Sequence, residues 1–216
     1  MRVIPREVQA FATKSTPIRE MRSALTLSVL QREALVGSIL GDGCLVANSW
    51  KKNYRLKMDH CDFQRRYLLW KYEIFKNFTL SPPRKREQTN AWSFRTISHP
   101  VLTQYRNLFY PNGKKVVPES INELLTAPIS IAVWYMDDGA LNWRKDALLL
   151  NTQSFTYEEN ERLRQCLKDN FGIEVTIMRN KKYWVLYIRK QYAPVFMRLV
   201  KRHVTDLMSE KLLVTP

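Results

Sequence analysis

Cysteine is scarce in this chain, and the few that occur do not cluster. Three residues (Cys44, Cys61 and Cys166) in 216 are too few and too widely spaced for a zinc knuckle or a disulfide framework, and no CxxC pair occurs. The chain therefore reads as intracellular and reduced. Histidine is equally thin. His60, His99 and His203 lie far apart, which argues against a nuclease built on histidine-bound metal and leaves each as a structural residue. Long apolar runs are missing too: nothing approaches the ~18–20 residues of a membrane span. No basic amphipathic helix stands alone, so a membrane is not among the expected partners. Acidic charge is the last shortage, with 20 Asp+Glu against 35 Lys+Arg and a net charge of +15.

That surplus points to a polyanion, and nucleic acid is the commonest one. The basic residues are spread through segments rich in Trp, Tyr and Phe, so they belong to folded surface rather than to tails. With 45% hydrophobic residues the chain can bury a real core. Its first 27 residues form a separate basic extension, in which Arg2, Arg6, Lys14, Arg19 and Arg22 face only Glu7 and Glu20. This stretch reads either as an organellar transit segment or as an arm that crosses a phosphate backbone. A mitochondrion or chloroplast is the expected compartment, with bacterial or archaeal cytoplasm as the alternative.

Hydrophobic periodicity divides the rest into two similar halves, 28–126 and 127–216. Residues 28–43 predict a helix, with Gly43 supplying the helix-breaking position. A strand pair follows to Asp59, turning around Asn48–Asn53. There Arg55, Lys57 and Asp59 alternate with Leu56 and Met58. An amphipathic helix spans 62–78 with Asp62 as its N-cap. A proline-stiffened stretch then leads into a basic strand, followed by a strand over 91–98 and a helix over 100–110. After a turn-rich segment and a short helix near 119–125, the order restarts. It gives a helix over 128–138, a hairpin over 141–153, a helix over 157–171, strands over 173–178 and 183–189, and a helix over 192–203. The expected fold is α+β, two pseudo-symmetric αββαββα halves.

The chemistry concentrates where the two leading helices end. Leu35-Val-Gly-Ser-Ile-Leu-Gly-Asp42-Gly43 and Ile131-Ala-Val-Trp-Tyr-Met-Asp-Asp138-Gly139 are apolar runs that both stop at Asp-Gly. A single such ending is ordinarily a C-terminal turn. Two in matching places suggest that Asp42 and Asp138 meet and share a divalent cation, because paired carboxylates otherwise repel. Mg²⁺ or Mn²⁺ suits such oxygen ligands, with Gly41 and Asp137 as candidates to add backbone carbonyls. Close packing of the helices calls for small residues. Gly37 and Gly41 supply them on the first, whereas the second has Val133 and Asp137.

At these residues the chain resembles the LAGLIDADG homing endonucleases. Leu80-Ser-Pro-Pro-Arg-Lys-Arg-Glu87, Trp134-Tyr-Met-Asp-Asp-Gly139 and Leu150-Asn-Thr-Gln-Ser-Phe-Thr156 are similar to the monomeric, two-motif, intron-encoded subgroup. The resemblance implies a DNA-binding saddle of two four-stranded sheets and hydrolysis of phosphodiester bonds at a long double-stranded DNA site. It implies metal binding by Asp42 and Asp138, and help to the scissile phosphates from Lys115 and Lys211, with Gln153 beside the centre. Candidate DNA contacts are Arg55, Lys57, Arg84, Lys85, Arg86, Arg95, Arg144, Lys145, Arg179, Lys181 and Lys182, most of them to phosphates and a minority to bases. Trp50, Trp92, Trp143 and Trp184 lie among these basic stretches and are read as rigid packing of strand ends. The alternative reading is an RNA-binding maturase that assists splicing of its own intron RNA, with or without DNA cleavage.

Overall fold

The computed structural model describes Glu20, residues 23–49 and 52–204, Met208 and residues 211–212. The cationic side chains expected at Arg2, Arg6, Lys14, Arg19 and Arg22, and Trp50 of the first hairpin turn, lie outside the described residues. Packing divides the chain into two compact units. One holds residues 1–32 and 43–106, the other residues 33–42 and 107–216.

The first unit contains one antiparallel sheet and a helix laid against it. Strands β1 (Cys44–Ala47), β2 (Tyr54–Cys61), β3 (Arg84–Arg86) and β4 (Ala91–Arg95) are ordered β1-β2-β4-β3. Leu45 pairs with Leu56, and Met58 with Phe94. These four side chains are buried, because alternation along a strand sends them all to one face. On that face they meet helix α2 (Arg65–Phe75), which buries Tyr67, Leu68 and Phe75.

Asp62 does not cap this helix. The α-helix begins three residues later, after a 3₁₀ turn over Asp62–Gln64, and no side chain caps either. Asp62 Oδ1 instead accepts from Trp92 Nε1 at 2.6 Å and pairs with Lys85 at 3.6 Å. The indole hydrogen bond, joined by the Lys85 charge, holds its carboxyl below the usual range. Helix α3 (Pro100–Phe109) follows the first sheet.

The second unit repeats the plan. Strands β5 (Gly139–Leu141), β6 (Leu148–Leu150), β7 (Val175–Asn180) and β8 (Tyr183–Ile188) are ordered β5-β6-β8-β7. Helix α6 (Tyr157–Phe171) packs on this sheet. A capping box between Thr156 and Glu159 starts it, and Gly172 in the left-handed region (φ 65°) ends it. A short helix α4 (Ile121–Leu124) precedes the repeat, and α7 (Ala193–Val200) follows it.

Two helices carry the acidic ends. Helix α1 (Val29–Leu40) opens with reciprocal bonds between Ser28 and Gln31, a capping box with Gln in the acidic position. Helix α5 (Pro128–Asp138) opens on proline, whose fixed φ suits a first turn. All its side chains from Ile129 to Met136 are buried. Helix α1 ends at Leu40, so the break falls three residues before the expected Gly43. Among the described residues only Gly113 and Gly172 are glycines at positive φ, and Gly139, after α5, is extended (φ −79°, ψ 152°). Glycine is required at 139 for room, since a Cβ there would stand 2.0 Å from the Tyr135 ring.

Candidate active site at two helix ends

Residues 33–42 of the α1 segment and all of α5 belong to the second unit, and their contact is built on missing side chains. A Cβ at Gly37 would come within 2.2 Å of the Ser130 carbonyl oxygen and 3.0 Å of Val133 Cβ. One at Gly41 would meet Asp137 Cβ at 2.5 Å. The absence of small residues at 133 and 137 thus has a simple resolution: Val133 and Asp137 fill the space that Gly37 and Gly41 leave. Interior packing has no slack for a second set of side chains there.

This approach brings the carboxylates together. Oxygens of Asp42 and Asp137 lie within 4.8 Å of each other, and Asp137 Oδ2 accepts from the backbone N–H of Asp42 at 3.1 Å. Asp137 is therefore more than a carbonyl donor; its side chain fixes the end of α1. Asp42 is exposed, while Asp137 and Asp138 are half-buried. Burial, reinforced by the charges of Asp42 and Asp137, pushes the Asp138 carboxyl up to about 7, with Lys115 and Lys211 pulling the other way. The carboxylates thus stand where added positive charge is favoured.

Each helix end also receives a lysine. Lys115 Nζ donates to the Gly41 carbonyl at 2.8 Å. Lys211 Nζ donates to Met136 O at 2.6 Å and Asp137 O at 3.2 Å. Cations on the last carbonyls of a helix satisfy orphan acceptors and complement the macrodipole. The two lysines enter from equivalent places, since Lys115 follows α3 and Lys211 follows α7. Sequence reasoning missed what anchors the second. The hydroxyl of fully buried Tyr135 donates to the Lys211 backbone carbonyl at 2.7 Å, and desolvation raises its pKa strongly. An apolar-looking motif position gave no signal of a partner 76 residues away. Gln153 donates its amide to Asn151 Oδ1 at 3.1 Å, and Asn151 N–H donates to the Asp138 carbonyl at 2.9 Å. It therefore reaches the acidic group only through Asn151.

The expected DNA contacts separate by face. Alternation puts Arg55, Lys57, Arg84, Arg86 and Arg95 on the side of the first sheet away from Leu56 and Phe94. Lys85 points to the opposite side, where it meets Asp62. Asp59 bridges Lys57 (2.6 Å) and Arg86 (3.3 Å), and Arg55 has its pKa lowered by burial and by neighbouring Arg95. In the second unit Arg144 and Lys145 lie on the β5–β6 turn, and Lys181 and Lys182 on the β7–β8 turn. Arg179 stacks on Trp184 (5.8 Å).

Three tryptophans differ in use. Trp184 packs edge-on with Tyr157 (5.1 Å) and Trp92 lies under Arg65 (4.2 Å), as expected of rigid packing. Trp143 is 84% exposed, which corrects that expectation for this residue.

Two antiparallel sheets of one strand order, together with two acid-ended helices, define a duplicated LAGLIDADG-type nuclease fold. The chain belongs to the LAGLIDADG DNA endonuclease family, whose model matches residues 32–196. It is 30% identical over 202 residues to probable intron-encoded endonuclease 1 of Wickerhamomyces canadensis, covering 87% of this chain and 86% of that one. It is 27% identical over 210 residues to DNA endonuclease I-ChuI of Chlamydomonas applanata, covering 87% and 96%. Among solved structures it is similar to the homing endonuclease I-WcaI bound to its DNA recognition sequence, with TM-score 0.88, 27% identity and full coverage of both chains.

Proposed function

We propose that this family member is a site-specific homing endonuclease, active as a monomer, which hydrolyses both strands of a long DNA site with the help of Mg²⁺ or Mn²⁺. The carrying observation is the convergence of Asp42, Asp137 and Asp138 with Lys115 and Lys211 at two helix ends of a chain with net charge +15. The carboxylates fit a hard divalent cation, being oxygen ligands too crowded with negative charge to ionise fully alone. When bound, such a cation supplies a Lewis acid and an activated water at the scissile phosphate. Asp42 and Asp138 would hold it, with Gly41 and Asp137 adding carbonyl oxygens.

The remaining roles belong to the chain's own groups. Lys115 and Lys211, already fixed on helix-end carbonyls, would turn toward the charge that builds on the phosphate oxygens as water attacks. Gln153 would orient water through its link to Asn151. Arg55, Lys57, Arg84, Arg86 and Arg95, with the turn residues of the second half, would neutralise phosphates and read bases. The equal order of elements and strands supports reading 28–126 and 127–216 as two copies of one unit. The basic, Ser- and Thr-containing N-terminus and the intron-encoded relative favour work in an organelle.

The test is cleavage of a plasmid library carrying random inserts, with the cut site recovered by sequencing. Asp42→Asn and Asp138→Asn should each lower the cutting rate by at least about a hundred- to thousandfold, the scale of lost electrostatic stabilisation at a reacting centre. Binding to the recovered site should persist. Undiminished cutting by either variant would overturn the assignment.

A further inference from the structure

Trp143 stands at the tip of the β5–β6 turn, where nothing in the fold requires it. Its indole is 84% exposed, and its recorded ring contact is the Arg144 guanidinium, 4.5 Å from the ring centroid. The tip beneath it is rigid. Asn142 Oδ1 accepts from the backbone N–H groups of Asp146 (3.0 Å) and Ala147 (3.1 Å), and Asn142 Nδ2 donates to Asp146 Oδ1 (2.8 Å). Asn142 N–H also donates to the Ala147 carbonyl at 2.9 Å, and Lys145 takes the left-handed conformation that closes the turn (φ 55°). An Asx-type network of this kind fixes the loop before any partner arrives. An aromatic residue displayed on a preformed turn between cations has the composition of a nucleic-acid contact.

A second observation comes from the other half. The β1–β2 turn reads Asn48-Ser-Trp50-Lys51-Lys52-Asn53, and the β5–β6 turn reads Asn142-Trp143-Arg144-Lys145-Asp146. Both carry tryptophan followed by two cations, with an asparagine just before the tryptophan in the second and one residue further back, across Ser49, in the first. The asparagine plays the same part, since Asn48 Oδ1 accepts from Lys52 N–H at 3.1 Å and Asn48 N–H donates to the Asn53 carbonyl at 3.0 Å. The surrounding strands share little sequence, so retention of this combination points to a use at the turn itself.

Resting on the endonuclease reading, we propose that Trp143 is a DNA-contacting residue, packing its indole against the sugars and base edges of the duplex while Arg144 and Lys145 hold the adjacent phosphates. An uncharged aromatic adds affinity without releasing counterions. It therefore leaves the salt dependence of binding unchanged, whereas each phosphate-bound cation steepens it.

The experiment uses the full-length protein and duplexes selected by the wild type from a random-sequence library, with affinity read across a KCl series. Trp143→Ala should weaken binding about tenfold, within the range known for aromatic–base contacts, at unchanged salt slope and unchanged melting temperature. Trp143→Phe should recover most of the loss, and its protein should show a smaller tryptophan emission change on DNA than the wild type. Arg144→Ala should instead flatten the slope by about one unit. Wild-type affinity in Trp143→Ala overturns the proposal while leaving the endonuclease reading standing. So does a loss that comes with a lower melting temperature. A wild type that selects no duplex overturns both.

Discussion

Across the middle of the first sheet, on the side away from its core, run Cys44, Lys57 and Arg95, and beside them Asp59, Ser93 and Arg84. The corresponding row of the second sheet is Ala140, Leu149, Tyr187 and Thr176, without a charge. The strand order is the same in both, so the difference is not one of topology. The inward pairs Leu45 with Leu56, Met58 with Phe94 and Leu148 with Ile188 are apolar in both sheets and fix the register. The outward rows differ in composition between the two sheets. In the second half the cations have moved from strand to turn, at Arg144, Lys145, Lys181 and Lys182. The leading helices diverge in the same complementary way, glycine on α1 against Val133 and Asp137 on α5.

The sharpest way to break the helix comparison is to make the two alike. Gly37→Val places a side chain into the Ser130 carbonyl and should destabilise the protein by about 3 kcal/mol, the upper range for overpacking. Val133→Ala, which removes two methyls from a fully buried site, should cost about 1–2 kcal/mol. Denaturant titration of both variants checks the order; equal losses would mean that the helices are not complementary at this point.

The second acidic end also carries a protonation signature. Asp138 has a raised pKa of about 7 against an ordinary 3.8. The folded chain therefore holds this proton after the unfolded chain has lost it. Its contribution is fully present below about pH 4 and is lost as pH rises toward 7. In metal-free buffer the melting temperature of the wild type, relative to Asp138→Asn, should fall over that window and level off above it. Added Mg²⁺ should raise it most at the alkaline end, because the cation requires the ionised carboxylate.

The smallest effect separates neighbours on one strand. Arg84→Ala should weaken binding to a selected duplex several-fold and reduce the salt slope by about one, as expected for one lost phosphate contact. Lys85→Ala, facing the other way toward Asp62, should leave both unchanged. Equal losses would refute the assignment of faces.

The sequence pattern is a good guide wherever a periodic apolar run decides the structure. Helices α5 and α6 begin and end where Pro128, Thr156 and Gly172 say they should, and both sheets follow alternation. It fails where a polar side chain can choose between local and distant partners. Asp62 has the right type and place for an N-cap, yet the Trp92 indole from β4 takes its oxygen. Gly139 looks like a conformational breaker and is instead a gap for the Tyr135 ring. In the site, the paired Asp-Gly endings mark the acidic group, and Lys115 and Lys211 could be nominated only through resemblance. The close carboxylate pair, Asp42 with Asp137, was not legible. Which of two adjacent aspartates turns toward the neighbouring helix depends on the offset that Gly37 and Gly41 create.

Helix α1 is divided by residue membership, its first turn belonging to one unit and its last turns to the other. The two sequence halves are consequently not modules that can be exchanged at their midpoint. A fragment starting after α3 would hold Asp137, Asp138, Lys115 and Lys211 but no Asp42, and its α5 would face an empty groove where Gly37 and Gly41 belong. Recombining halves from different relatives would carry a foreign helix into that groove, so compatibility at four positions, 37, 41, 133 and 137, becomes the rule for any functional hybrid.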